Sequence, residues 1–236
     1  MSAIDIVFWD IGGVMYDDRV YATAWRRALR EAGARFTDEA FEEEYAACRT
    51  AQDGSFRRRL ATRFVGPDAD LDALERLAAR HWAYPPAALH VDVRPTLERL
   101  RAGGYRLGVI ANQPSDVRVA MRRDGLEPYF DTWGISDDLG LHKPDPELFV
   151  EAVRTAGVDA ARAAMVGDRL DYDIRPARRA GMHTVWLLRG EAPDDPTPAQ
   201  LAEADAAIRE LAELPGVLAS FGREAEGPAP AERSDR

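Results

Sequence analysis

Three short stretches of this 236-residue chain carry side chains whose types and spacing could do chemistry. The first is Asp10-Ile11-Gly12-Gly13-Val14: a carboxylate closes an apolar run, and two glycines follow it. Without a Cβ, backbone N–H groups there can approach an anion closely. The second is Gly140-Leu141-His142-Lys143-Pro144-Asp145-Pro146, which holds the only lysine among 31 Lys and Arg residues. An ammonium is a compact point charge on a flexible stem, whereas guanidinium is a broad planar fork. A site that must fit one small cation between carboxylates and a phosphoryl group favours the ammonium. The third is Gly167-Asp168-Arg169-Leu170-Asp171-Tyr172-Asp173. Oxygen-rich clusters of this kind suit Mg²⁺, a hard cation that keeps several waters. Asp168 is the best ligand candidate. Asp173 is expected to bind metal through water, to orient Lys143 or to cap the next helix, and Asp171 to be a solvated surface carboxylate. Together these groups make a coherent phosphoryl site. Metal and Lys143 would neutralise the phosphate and the Asp10 carboxylate, Asp10 would attack phosphorus in line, and water would later hydrolyse the aspartyl-phosphate.

The elements that must position these residues follow from periodicity. Residues 4–9 are a short apolar run, expected to be a buried strand that ends at Asp10. Residues 17–90 carry amphipathic helical spacing and no convincing strand. Helices are expected at Ala22 to Ala32, from Thr37 onward and at Leu71 to Trp82, until Pro85-Pro86 breaks the pattern. From Arg94 strands and helices alternate. Strands are expected at Tyr105 to Ala111, Asp131 to Ser136, Ala163 to Val166 and Thr184 to Leu188, with a short edge strand at 205–208 and a last helix from Ile208 to Phe221. This rhythm implies an α/β fold, a parallel sheet with helices on both faces. Residues 1–16 and 91–222 would form the core, residues 17–90 a helical insert and residues 223–236 a disordered tail. Ligands of such sheets bind at the carboxyl ends of the strands, where Asp10, Asn112 and Asp168 fall.

In order and spacing the three stretches resemble the haloacid dehalogenase superfamily, over the whole chain except the tail. The first motif of that family, Asp-x-Asp-Gly-[Thr/Val], matches Asp10-Ile11-Gly12-Gly13-Val14; its third matches Lys143-Pro144; its fourth matches Val166-Gly167-Asp168 with Asp173. The resemblance implies a Rossmann-like core with an inserted helical cap. It also implies Asp10 as nucleophile, Lys143 as the neutralising cation, and the Gly12 carbonyl and Asp168 as Mg²⁺ ligands; Asp10 and Asp173 are further candidates to hold the metal. Gly12, Gly13 and Asn112 would meet the phosphate. Caps of this type choose the substrate, and Arg49, Gln52 and Arg57 are the candidates to bind its polar or anionic parts.

Two positions depart from the pattern. Gly12 stands where phosphatases of the family carry a second Asp, which protonates the leaving oxygen and then activates water. Such general acid–base help is typically worth ~10²–10⁴-fold. The loss is tolerable for a good leaving group, or if Asp17 or Asp18 stands in. Ala111 stands where a Ser or Thr hydroxyl would bind a phosphoryl oxygen. The expected function is a Mg²⁺-dependent phosphatase for a small phosphorylated metabolite. Two alternatives stay open: a catalytically impaired binding or regulatory protein, and a metal-free 2-haloacid dehalogenase-type hydrolase, whose chemistry needs no leaving-group acid.

Composition bounds the partners. A formal net charge of -10 argues against nucleic acid or an anionic membrane. No apolar run approaches a membrane span, and Asp5 and Asp10 interrupt the N-terminal run, so no signal peptide is expected. Cys48 is the only cysteine. No disulfide within the chain can form, which fits the cytoplasm, and Cys48 is expected to be a buried thiol. A monomer or a homodimer is expected.

Overall fold

A computed structural model describes residues 4–221; the expected tail at 223–236 lies outside the described residues. Six strands form one parallel sheet: β1 (Ile6–Trp9), β2 (Arg106–Ala111), β3 (Thr132–Ile135), β4 (Ala163–Gly167), β5 (His183–Leu187) and β6 (Ala206–Ile208). Their order is β3-β2-β1-β4-β5-β6. This Rossmann-like order reverses between β1 and β4, and that switch point is where open α/β sheets take their ligands. Asp10 leaves one of those strands and Asp168 the other. β1 is buried on both faces: Val7 and Trp9 join one apolar layer, Ile6 and Phe8 the other. A strand covered on both sides reads as an unbroken apolar run, which is why it stood out in the sequence.

After β1 the chain first runs through four helices that pack on one another: α1 (Arg19–Glu31), α2 (Asp38–Ala51), α3 (Phe56–Phe64) and α4 (Leu71–Ala79). They bury a core of their own, with Trp25, Phe41, Leu60 and Leu74 at its centre. Cys48 belongs to that core, and burial pushes its thiol up to about 11. The segments that lead into and out of these helices pair with each other. The Asp17 N–H donates to the Ala88 carbonyl at 2.8 Å, and the His90 N–H to the Met15 carbonyl at 3.0 Å.

The remaining helices flank the sheet: α5 (Val93–Ala102), α6 (Val117–Arg123), α7 (Ser136–Leu139), α8 (Pro146–Ala156), α9 (Arg175–Arg179), α10 (Pro198–Leu201) and α11 (Leu214–Phe221). Two differences from the sequence expectation have physical reasons. α3 was not expected, because Arg57-Arg58-Arg59 masks the apolar face made by Phe56, Leu60, Ala61 and Phe64. Ser55 caps it by accepting from the Arg58 N–H at 3.3 Å. The last helix begins at Leu214 rather than Ile208. Pro215 has no N–H and its ring would clash with the carbonyl four residues upstream, so it fits a first turn but not a helix interior.

Candidate active site

The carboxyl ends of β1, β2 and β4 open into a cavity of about 450 Å³, lined by Asp10, Gly12, Asp18, Asn112, Lys143, Asp168 and Asp173 at its floor. The Lys143 ammonium lies between two carboxylates, 2.8 Å from Asp10 Oδ1 and 2.6 Å from Asp173 Oδ1. The Lys143 and Asp173 side chains are 3% and 1% exposed, whereas Asp10 keeps 13% and opens toward the cavity. Asp173 is fixed from behind, since its Oδ2 accepts from the Arg169 N–H at 3.0 Å. It sits on a wide π turn, Leu170–Ile174, that leads from β4 into α9. Of the three roles expected for Asp173, orienting Lys143 is visible in the geometry. Asn112 holds the other end of the lysine residue. Its Oδ1 accepts from the Lys143 N–H at 2.7 Å, and its Nδ2 donates to the Lys143 carbonyl at 2.9 Å. The Asn112 side chain is therefore engaged by the lysine backbone, which leaves its own backbone N–H as the group expected to meet the phosphate.

The two glycines differ in what they permit. Gly13 has φ +67°, and a Cβ there would stand 2.0 Å from Asp168 Oδ2. Its N–H donates to the Tyr16 carbonyl at 2.8 Å, so Gly13 serves close approach of Asp168 rather than anion binding, a correction to its expected place on the phosphate. Asp168 Oδ2 accepts from the Glu191 N–H at 2.6 Å.

Charge is unbalanced at this floor. Burial pushes the Asp10 carboxyl up to about 6, against the pull of Lys143. Burial pushes Asp168 well above the carboxylate range, and the Asp173 and Asp10 charges add to it. Asp18 is raised in the same way, by burial and then by Asp168 and Glu191. For Lys143 burial works against the ammonium, but Asp10 and Asp173 outweigh it and its pKa is raised. One cation faces a surplus of carboxylates. Ligand oxygens of Asp10, Asp168 and Asp173 lie within 4.8 Å of one another. A set of close oxygen donors with unneutralised charge fits a divalent hard cation such as Mg²⁺.

The insert supplies the far wall. Arg57 lines the cavity and pairs with Glu75 at 2.8 Å. Arg49 and Gln52 do not reach it. Arg49 donates to the Ala192 carbonyl and to Asp194. Gln52 is fully buried; its Oε1 accepts from the Leu170 N–H at 2.8 Å and its Nε2 donates to the Glu191 carbonyl at 2.7 Å. Both expected substrate contacts are thus ties between insert and sheet. Asp171 is no surface carboxylate either: it holds Arg169 through two bonds of 2.9 and 2.7 Å. The sequence reading passed over Glu191, which meets Asp168 through its backbone and Arg169 through its side chain at 2.8 Å. Its position just past β5 was the available signal, because the strand-end rule applies to that strand as well.

A parallel sheet with a carboxylate–ammonium–carboxylate triad at its switch point puts reactive groups where open α/β sheets take their ligands. The model of the haloacid dehalogenase-like hydrolases matches residues 4–181, and the chain belongs to that family of enzymes. It is 35% identical to a glyceraldehyde 3-phosphate phosphatase of Methanopyrus kandleri, over 81% of this chain and 87% of that one. It is 31% identical to a phosphoserine phosphatase of Thermus thermophilus, over 79% and 73% of the two chains. The fold matches the crystal structure of a predicted phosphoglycolate phosphatase from Haemophilus somnus with a TM-score of 0.75 at 20% identity, covering 92% of this chain and 99% of that one.

Proposed function

We propose that this hydrolase is a Mg²⁺-dependent phosphatase of small phosphorylated metabolites, acting through an aspartyl-phosphate on Asp10. The observation that carries the reading is the Lys143 ammonium held between Asp10 and Asp173, beside the crowded carboxylate of Asp168. The phosphatase names of the relatives support the same chemistry. Asp10, the Gly12 carbonyl, Asp168 and Asp173 would hold the cation, directly or through water. A bound Mg²⁺ supplies charge neutralisation for the phosphoryl oxygens.

The chain's own residues account for the rest. Asp10 bonds the Lys143 ammonium and is more open to the cavity than Asp168 or Asp173, so it is the one placed to attack phosphorus. Lys143 offsets the repulsion between that carboxylate and the dianion it approaches, and Asp173 and Asn112 hold Lys143 so that no reorganisation is needed during reaction. The helical segment at 17–90 acts as a cap over the mouth. Its Arg57 is the cation available to an anionic or polar part of the substrate, while Trp25 and Phe56 offer apolar wall. The missing hydroxyl at Ala111 leaves the phosphoryl group more dependent on the cation and on Lys143.

Phosphate release across a panel of phosphomonoesters and acyl phosphates, with and without Mg²⁺, tests the reading. Mg²⁺-dependent turnover that drops on the order of 10⁴-fold or more in Asp10→Asn is the expected result. Turnover of 2-haloacids without metal, or Mg²⁺ binding with no turnover of any ester, would replace it.

A further inference from the structure

Gly12 is not a glycine for backbone reasons, since it is absent from the positive-φ glycines. The space a side chain there would enter is taken by Asp18. A Cβ on Gly12 would stand 2.4 Å from Asp18 Oδ1 and 3.2 Å from its carboxyl carbon, with the Tyr84 hydroxyl at 3.1 Å. The Asp18 carboxyl therefore occupies the space a side chain of residue 12 would fill. It comes from the entrance of the insert, at the N-cap position of α1. A carboxylate at that position ordinarily accepts a hydrogen bond from the first turn. Asp18 makes no such bond, and Asp17 accepts from the Arg19 N–H instead, at 2.9 Å. Among the described residues no side-chain hydrogen bond or ion pair engages the Asp18 carboxyl. It faces the cavity beside Asp10 and Lys143.

We infer that Asp18 is the general acid–base of the reaction, supplying from the start of the helical insert the carboxyl that residue 12 lacks. The inference rests on the phosphatase reading above. In the first step an Asp10 oxygen bonds to phosphorus, the bond from phosphorus to the ester oxygen breaks, and that oxygen takes the Asp18 proton and leaves as the alcohol. In the second step water attacks the aspartyl-phosphate, its proton passes to the Asp18 carboxylate, and the bond from phosphorus to Asp10 breaks. Phosphate leaves and both carboxyls return to their starting states. The acid thus rides on the insert, so the site is complete only when the insert is seated.

The test is a leaving-group series on the full chain at saturating Mg²⁺. It compares kcat/KM for p-nitrophenyl phosphate, phenyl phosphate and glycerol phosphate in wild type, Asp10→Asn, Asp18→Asn and the double variant Gly12→Asp/Asp18→Gly. This ratio covers the steps through departure of the leaving group. Asp18→Asn should lose about 10²–10⁴-fold on glycerol phosphate and progressively less as the leaving group becomes more acidic. The double variant returns a carboxyl to residue 12 and clears the clash, so it should regain at least about tenfold on glycerol phosphate over Asp18→Asn. A wild-type rate in Asp18→Asn on glycerol phosphate, or one constant loss across the series without recovery in the double variant, overturns the inference. If Asp10→Asn is still inactive, the phosphatase reading stands. A wild type inactive on every ester overturns both.

Discussion

Two buried ionic clusters grow from the turn after β4, and they are built to opposite ends. Lys143 with Asp10 and Asp173 leaves negative charge over, because Asp168 and Asp18 crowd the same floor with no cation of their own. Arg169 with Asp171 and Glu191 is closed in the sense that its donors are taken: the guanidinium bonds both carboxylates and also donates to the Gly54 carbonyl at 3.0 Å. The planar fork satisfies three partners at once and ties the insert to the sheet, which suits arginine; the single point charge between two carboxylates suits lysine. The difference separates a cluster that needs a ligand from one that needs nothing more.

The largest effect that would break this comparison is on activity. Lys143→Met should lower kcat/KM by about 10²–10³-fold or more, since one preorganised charge partner of the reacting group is removed. Arg169→Met should act mainly on the fold. Taking one partner from a buried ion pair costs about 3–5 kcal/mol, read as a lower denaturant midpoint at unchanged m. Equal loss of activity in the two variants, at equal stability, would erase the distinction.

Metal sharpens it further. Only the open cluster should respond to Mg²⁺, and at about 100 times Kd the gain in stability is about 2.7 kcal/mol. Wild type and Arg169→Met should both gain it in thermal melts, while Asp168→Asn should lose most of it. A Mg²⁺ response that survives in Asp168→Asn but vanishes in Arg169→Met would exchange the roles of the two clusters.

The two clusters were not equally legible in the sequence. The open one was read because its members end strands or follow them, and the switch-point rule turns strand ends into a list of neighbours. Lys143 was conspicuous as the only lysine. In the closed one Asp171 was expected at the surface and Glu191 was passed over, and the neighbouring ties Arg49 and Gln52 were expected at the substrate. Arg49, Gln52 and Asp171 are polar side chains at junctions, and nothing in a linear pattern distinguishes a side chain that meets a ligand from one that meets the backbone of another element. The same limit kept Asp18 as one of two stand-ins for Gly12: the exchange of a carboxyl between residues 12 and 18 exists only in three dimensions. Asn112 falls at the expected rim, with its side-chain amide on the Lys143 backbone. Fold-level features fared better, because β1, β2 and β4 announce themselves by composition, whereas α3 was hidden under three arginines.

Gln52 gives the smallest and most discriminating test. It is the one non-glycine among the described residues with positive φ, at 50°, and it closes α2 in a left-handed conformation. That backbone costs on the order of 1–2 kcal/mol for a residue with a Cβ, and the amide bonds to Leu170 and Glu191 offset it. Gln52→Ala keeps the backbone cost and strands the buried Leu170 N–H, a loss of about 1–3 kcal/mol. Gln52→Gly strands the same group but relieves the backbone, so it should be the more stable of the two variants. Denaturant midpoints for the pair separate the side-chain tie from the backbone term. Steady-state kinetics on the same proteins decide its role: a clamp lowers the midpoint and leaves KM close to wild type in the folded protein. A raised KM with an unmoved midpoint would instead return Gln52 to the substrate, where its position beside Arg49 first suggested it belonged.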